Sequence, residues 1–324
     1  MRVAIALVAI VVVASTLSAT SPTSDAPQSP QFRGRTDVVT VPVSVMQGRN
    51  PVGGLTAADF ELTDNGARQV IDAVSLENVP IDVTFLFAEF PWERGPEFRR
   101  VVERAGEIRN QLGKEDRLRL VLADSLEVTG RFVDPGASVA AAPGVMELQW
   151  LGAKGNSNHG FGVALADALF YALALPIPSD RRHVAIAFTD GHSTASVLDM
   201  DMLPSLASRS DAVLHAVLWA VPSDGGNSGG INISPPPTSP RPDWEASFRK
   251  LDETVQRTGG TLQRTSNASE ALTEILRNFR SSYLLRYTPA EAPKPGWHEI
   301  KVTVKRPGSF NIRARRGYEV GGSK

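Results

Sequence analysis

The chain has 324 residues, room for about two domains at the usual ~150 residues each, and its 42% hydrophobic content is enough to build a sizeable core. A formal net charge of -1 supplies no global positive field for phosphate, which excludes a general nucleic-acid binder. The absence of cysteine excludes disulfides, thiol catalysis and thiolate metal sites together.

Met1-Arg2, the apolar run Val3 to Ala14 and the small residues Ser15, Ser18 and Ala19 have the outline of a secretory signal peptide over residues 1–19. The run is shorter than the ~20 residues of a spanning helix. Cleavage would give a secreted or periplasmic protein; retention would leave an N-terminal anchor. Residues 20–35, rich in Pro, Ser and Thr, read as a disordered linker. An N-terminal β segment follows over 36–79. It opens with Val38 to Val45, where Pro42 favours an edge, and passes a short turn at Leu55 to Phe60. Asn65-Gly66 between two β-prone runs then predicts a hairpin.

From residue 80 the grammar changes. Strand Val83 to Phe87 precedes a helix with Phe98, Val101, Val102, Ala105, Ile108 and Leu112 on one face. Strand Leu118 to Ala123, an edge hairpin from Leu126 to Val133 and a helix over Val163 to Ala174 come next. A buried strand from Val184, a helix at Met202 to Ser208 and strand Ala212 to Ala220 lead into a long loop at 222–243. The helix of Trp244, Phe248, Leu251 and Val255 stops at Gly259-Gly260. A strand at Thr261 to Arg264, a helix with Leu272, Ile275, Leu276 and Phe279 inward, and strand Tyr283 to Tyr287 complete residues 80–288. This alternation predicts an α/β fold, a Rossmann-like mostly parallel central sheet flanked by helices. Over 289–320, Ile300, Val302 and Val304 alternate with Lys301, Thr303 and Lys305 as in a half-buried strand, and Arg313, Arg315 and Arg316 are expected on its wet face. Each flank is too small to bury a core alone, so 289–320 is expected to pair with 36–79 in a β-sandwich-like module.

The stretch Arg182 to Thr194 organises the α/β part. An uncharged strand ends in Thr189-Asp190-Gly191, and in open α/β sheets ligands collect outside the carboxyl ends of the strands. Asp190 therefore stands on the expected rim, or serves plain turn chemistry.

Together, Val83 to Phe87, the loop after it, the helix over 163–174 and Phe188-Thr189-Asp190-Gly191 resemble a von Willebrand factor A domain. The flanks are similar to the VWFA-related Acidobacterial domain family. At the front these are Val39-Thr40-Val41-Pro42-Val43, Gly54-Leu55-Thr56-Ala57-Ala58-Asp59-Phe60-Glu61 and Gly66. At the end they are Thr258-Gly259-Gly260, Ser281 to Pro289, Val304-Lys305-Arg306-Pro307-Gly308 and Ala314-Arg315-Arg316-Gly317-Tyr318. The resemblance implies a metal-ion-dependent adhesion site holding Mg²⁺ through Asp-x-Ser-x-Ser after the first strand, a Thr from a later loop and an Asp at the fourth strand. Here those positions fall on Ala88, Phe90, Trp92, Val163 and Asp190. Asp190 alone has ligand chemistry, so a degenerate, metal-free site without cofactor is expected. Glu89 and Glu93 nearby would have to substitute if Mg²⁺ bound after all.

The expected partner-binding rim comprises Glu89, Phe90, Trp92, His159 and Asp190. Phe90 and Trp92 either anchor a protein partner or fill the space of the missing ion. A hydrolase would need a nucleophile with a positioned base, for which His159, His183, His192 and Ser193 near Asp190 are the candidates. The sequence contains no Gly-x-Ser-x-Gly elbow, phosphate loop or His-Glu-x-x-His motif. The resulting expectation is an exported, non-catalytic protein-binding or adhesion-type module, with a structural or envelope-assembly scaffold as the alternative.

Overall fold

The computed structural model describes residues 38–76, 79–88, 111–124, 127–129, 163–178, 180–189, 191, 193, 195–219, 244–265, 267–290 and 293–321. The expected signal peptide and linker, most of the helix expected before Leu112 and the loop at 222–243 lie outside these residues. The chain enters through β1 (Val39–Gln47) and β2 (Asn50–Pro51), then a 3-10 turn at Ala57–Asp59, β3 (Phe60–Asp64), β4 (Ala67–Gln69) and β5 (Ile71–Ser75). The β3–β4 turn has φ 47° at Asn65 and 81° at Gly66, the two positive values that make Asn-Gly the favoured hairpin pair.

Six strands then build the central sheet: β6 (Ile81–Ala88), β7 (Arg117–Asp124), β8 (Glu127–Thr129), β9 (Arg182–Thr189), β10 (Val213–Trp219) and β11 (Leu262–Thr265). Their order is β11-β10-β9-β6-β7-β8, parallel throughout except for the antiparallel edge strand β8. Four described helices accompany them, α1 (Leu165–Ala174), α2 (Leu203–Arg209), α3 (Trp244–Thr258) and α4 (Ala268–Arg280). The period-2 pleat sends Val83, Phe85 and Phe87 to the face packed on α4, with Ile275, Leu276 and Phe279 against them. Leu86 and Ala88 go to the other face, under α1, α2 and α3. Burial on both faces explains why β6 and β9 read as nearly continuous apolar runs.

The chain next forms β12 (Tyr283–Tyr287), β13 (Gly296–Val304), β14 (Asn311–Ala314) and β15 (Gly317–Val320). The sequence grammar assigned Tyr283–Tyr287 to the α/β part; the structure places it between β1 and β5, in a sheet ordered β14-β1-β12-β5 with β2 on β1. The misassignment has a physical cause. Tyr283, Leu285 and Tyr287 point into the β core, and Leu284 on the opposite face is buried too, so the strand lacks the polar alternation of a half-exposed one. A second sheet runs β15-β13-β3-β4, pairing Ile300 to Val304 with Asp64 to Phe60. Val41, Val43, Phe60, Leu62, Leu285 and Ile300 from both sheets share one apolar cluster. Pro42 costs no ladder bond to β14, because that ladder starts at Val43 and leaves this half of β1 with one partner strand.

The flanking strands and the α/β part meet backbone to backbone. A Cβ on Gly260 would stand 1.7 Å from the Leu214 carbonyl oxygen, and one on Gly259, at φ +84°, 2.7 Å from the Arg315 nitrogen. The Arg315 expected in solvent is instead buried, its Nε donating to the Gly317 carbonyl at 2.8 Å and its Nη2 to that of Ser208 at 3.0 Å. Tyr283 accepts a bond from the Leu55 N–H at 3.1 Å and donates to the Val52 carbonyl at 2.7 Å. Arg306 pairs with Asp59 at 2.7 Å and donates to the Gly54 carbonyl at 2.7 Å. Gly260→Ala is expected to cost about 3 kcal/mol or more, since backbone has to move. Gly53→Ala, where a Cβ meets nothing within 4 Å, is expected to be nearly neutral, and urea midpoints of the two variants check the contrast.

Candidate functional site

From β6 the chain runs to β7 and β8 on one side and returns to β9, β10 and β11 on the other, so the strand order reverses between β6 and β9. The crevice outside the carboxyl ends at such a switch point is where open α/β sheets bind ligands. The paired ends are Ala88 and Thr189. Ala88 and Val163, two of the positions where the resemblance requires a ligand, are both fully buried in the same apolar cluster, and neither side chain offers an oxygen. Glu89, Phe90, Trp92, His159 and Asp190, with Glu93 and His192, lie outside the described residues.

The loop after β9 is tied to the start of α1. Ala164, at the N-cap, has no side chain able to cap the helix, so the first N–H groups need outside acceptors. Ser193 and Ser196 provide them: both Oγ atoms accept from the Ala166 N–H, at 3.1 and 3.0 Å, and lie 2.7 Å apart. Asp167 returns the contact, its carboxylate accepting from the Val197 N–H at 2.9 Å and the Leu198 N–H at 2.8 Å. Gly191, at φ +89°, donates its N–H to Thr189 Oγ1 at 3.0 Å and turns the chain at the strand end. The rim hydroxyls and the Asp167 carboxylate therefore serve closure of the loop. Outside it stand Val197, 81% exposed, and Met202, 50% exposed. Sequence reading missed Asp167 and Ser196; the available signal was an acidic residue in the first turn of a helix without a capping side chain.

Of the hydrolase candidates only His183 and Ser193 are among the described residues, and those two stand apart. His183 sits at the amino end of β9, Nε2 2.7 Å from Thr84 Oγ1, whereas Ser193 lies beyond the carboxyl end. Burial first, then the charge of Arg119, pulls the His183 pKa down to about 4, so its ring is neutral near pH 7. Around it lies a buried polar layer. Arg119 donates to Thr84 at 2.8 Å, and Asp82 receives Arg117 at 2.5 Å and Arg181 at 2.7 Å. Burial pushes the Asp82 pKa upward, but the bonds and charges of those two arginines outweigh it and hold the carboxyl below its usual range.

A second polar cluster lies between the β sheets. The Asp64 carboxylate accepts from Tyr287 Oη at 2.8 Å and Tyr318 Oη at 2.9 Å, and from His298 Nδ1 at 2.9 Å. His298 Nε2 is 2.8 Å from the Lys294 carbonyl oxygen, which can only accept. Both ring nitrogens thus donate, the pattern of an imidazolium. Burial lowers the His298 pKa, but the bonds to Lys294 and Asp64 with the Asp64 charge hold it above its usual value. Burial, then the bonds with Tyr318 and Asp64, raises Tyr287 beyond the usual phenol range, and Tyr318, half-buried beside Asp64, is pushed up to about 12.

Among the described residues, no group of three or more His, Asp or Glu side chains stands ready to hold a metal ion, and no helix is long and apolar enough to cross a membrane. No family model matches the chain, and no curated protein matches it. Solved structures similar to it include "von Willebrand factor type A from Catenulispora acidiphila", at 10% identity and TM-score 0.41, over 89% of this chain and 75% of that one. BatB from Bacteroides thetaiotaomicron aligns at 10% identity and TM-score 0.38, over 62% of this chain and 98% of that one. An aerotolerance-related membrane protein from Bacteroides fragilis aligns at 13% and 0.39, again over 62% and 98%. At these scores the likenesses add nothing to what strand order and side chains say.

Asp167→Ala is expected to release the loop, costing roughly 1–2 kcal/mol of stability and speeding amide exchange at Val197 and Leu198. The His298 pKa is raised on folding, so its stabilisation is complete below the unfolded value of roughly 6.5 and is lost as pH rises through the folded one. The stability gap between the natural chain and His298→Gln should therefore shrink on going from pH 6 towards pH 9, as read from urea midpoints.

Proposed function

We propose that the chain is an exported, non-catalytic, protein-binding module of the von Willebrand factor A type, using the carboxyl-end rim of the central sheet without a metal ion. The two β sheets form one sandwich-like support for it. The observation that carries this reading is the chemistry at the switch point. Where the resemblance calls for cation ligands, Ala88 and Val163 bury hydrocarbon, and the neighbouring Ser193, Ser196 and Asp167 are committed to holding the loop. Among the described residues this side of the rim exposes Val197 and Met202 beside Asp199 and Asp201, and Phe90 and Trp92 follow β6 in sequence. Apolar and aromatic groups displaced from water by a partner supply affinity with no ion to bridge them. The rim glutamate Glu89, His159 and Asp190 then set orientation and selectivity.

The catalytic alternative finds no support in the Ser193 surroundings, where Oγ meets Ser196 and a backbone N–H, and the described histidines bond elsewhere. A photo-crosslinking side chain at position 197, in the cell that makes the protein, is expected to capture one discrete protein with a yield indifferent to chelator. The same group at Val70, 78% exposed in the β4–β5 turn, is expected to capture none. A chelator-sensitive adduct would restore the cation-dependent mechanism; equal capture at both positions would remove the rim from consideration.

A further inference from the structure

The chain has no cysteine, so its five methionines are its only sulfur-bearing residues. Met46, Met200 and Met202 are among the described residues, and position divides them sharply. Met46 is 5% exposed and Met200 6%, whereas Met202 is 50% exposed. A peroxide has to reach the sulfur to oxidise it, so in the folded chain Met202 is open to attack and the other two are shielded.

A fixed turn presents Met202. The 3-10 turn Met200–Met202 opens at Asp199, whose carboxylate accepts from the Asp201 N–H at 2.9 Å. The Met202 N–H donates to the Asp199 carbonyl at 3.1 Å. Met200 before it and Leu203 after it are both sunk in the core between the central sheet and its helices. Asp201 is tied to α3 through Lys250 at 3.3 Å. With Met200 and Leu203 buried, the backbone is anchored on either side, and the Met202 side chain stands on the rim in the same segment as Val197.

Attack of the Met202 sulfur on a hydroperoxide forms the S–O bond as the O–O bond breaks. The sulfur is oxidised by two electrons and the peroxide is reduced. Its second oxygen takes the proton of the first and leaves, as water from hydrogen peroxide or as an alcohol from an organic hydroperoxide. A flexible apolar side chain thereby becomes a polar sulfoxide. At an exposed position this spares the core and changes what the surface offers. A sulfoxide pressed against an apolar partner surface loses its water and finds no donor in return, which opposes binding.

We propose that Met202 is a peroxide-responsive modification site, and that its oxidation weakens partner binding at the rim. The regulatory half of this rests on the rim reading above. Methionine sulfoxide reductases return the sulfoxide to the thioether, so the change is reversible.

The test takes the purified full chain with the photo-crosslinking group at position 197, oxidises it with hydrogen peroxide, removes the peroxide and adds the protein to an extract of the cells that make it. Peptide mass spectrometry is expected to find Met202 oxidised about tenfold faster than Met46 and Met200, with Tm within ~2 °C of the untreated chain. The yield of the discrete adduct is expected to fall about tenfold, and treatment with methionine sulfoxide reductase to restore it. In Met202→Leu, peroxide is expected to leave the yield where it stood before treatment, while Met146→Leu should respond as the natural chain does. Equal yields from treated and untreated natural chain, a loss that persists in Met202→Leu, a loss abolished by Met146→Leu, or Met202 oxidised no faster than the two buried methionines would overturn the proposal and leave the rim reading standing. No discrete adduct from the untreated chain would overturn both.

Discussion

Two consecutive glycines let the end of α3 lie directly on the backbone of Leu214 and on the backbone before Arg315, and much of the arrangement depends on that contact. Any side chain at Gly260 would occupy the space of a carbonyl oxygen, so β10 and the α3–β11 connection are held closer than side chains permit. Thr258 completes the joint by accepting from the Leu214 N–H at 2.9 Å. On the far side the same glycines admit the Ala314–Arg315 peptide, and this is what draws a guanidinium into the interior. Arg257 above the Trp297 ring, at 4.8 Å, closes the joint from outside.

The flanking motifs of the resemblance share this character. Gly54 to Asp59 and Lys305-Arg306 lie far apart in sequence and meet at the Asp59–Arg306 pair. Thr258-Gly259-Gly260 meets Ala314-Arg315, and Tyr283 reaches Val52 and Leu55. Those residues fasten the β sheets to each other and to the α/β part, whereas Ala88 and Val163 at the switch point are apolar. Fastening and binding make different demands. A joint built on zero-clearance backbone contact tolerates no side chain at its glycines, while a rim of the kind proposed would have no fixed ligand set to keep.

Much of the α/β architecture was legible because the periods are unambiguous: β6 from Val83 and β9 from Val184 are uncharged runs, and α4 carries one apolar stripe. The Asn65-Gly66 hairpin was legible for a local reason, positive φ at two successive residues. β12 was not, because a strand buried on both faces carries no periodic mark of which sheet it joins. Arg315 was not, because its burial depends on carbonyls at Ser208 and Gly317 that sequence spacing cannot bring together. Of the rim, the strand ends at Ala88 and Thr189 were legible, while Glu89, Phe90, Trp92, His159 and Asp190 lie outside the described residues. Asp190 pointed to the switch point, yet the Ser193–Ser196–Asp167 latch joins residues about thirty positions apart. Asp64, His298, Tyr287 and Tyr318 come from four strands, and none is distinctive alone.

The chain leaves the β sheets after Ser75 and returns at Tyr283, and in the sheet Ser75 sits directly opposite Leu284. The whole α/β part is therefore an insertion between two hydrogen-bonded neighbouring strands, with entry and exit about one strand spacing, ~5 Å, apart. That geometry decides how the molecule carries mechanical load. Tension applied between Val38 and Gly321 is borne by the ladders of β1 with β12 and β14 and of β13 with β3 and β15, while the inserted part hangs to one side of the force path. A pull on the rim is transmitted instead through β5 and β12 together, as two legs of one bracket, and reaches the same sheet at its β5 edge.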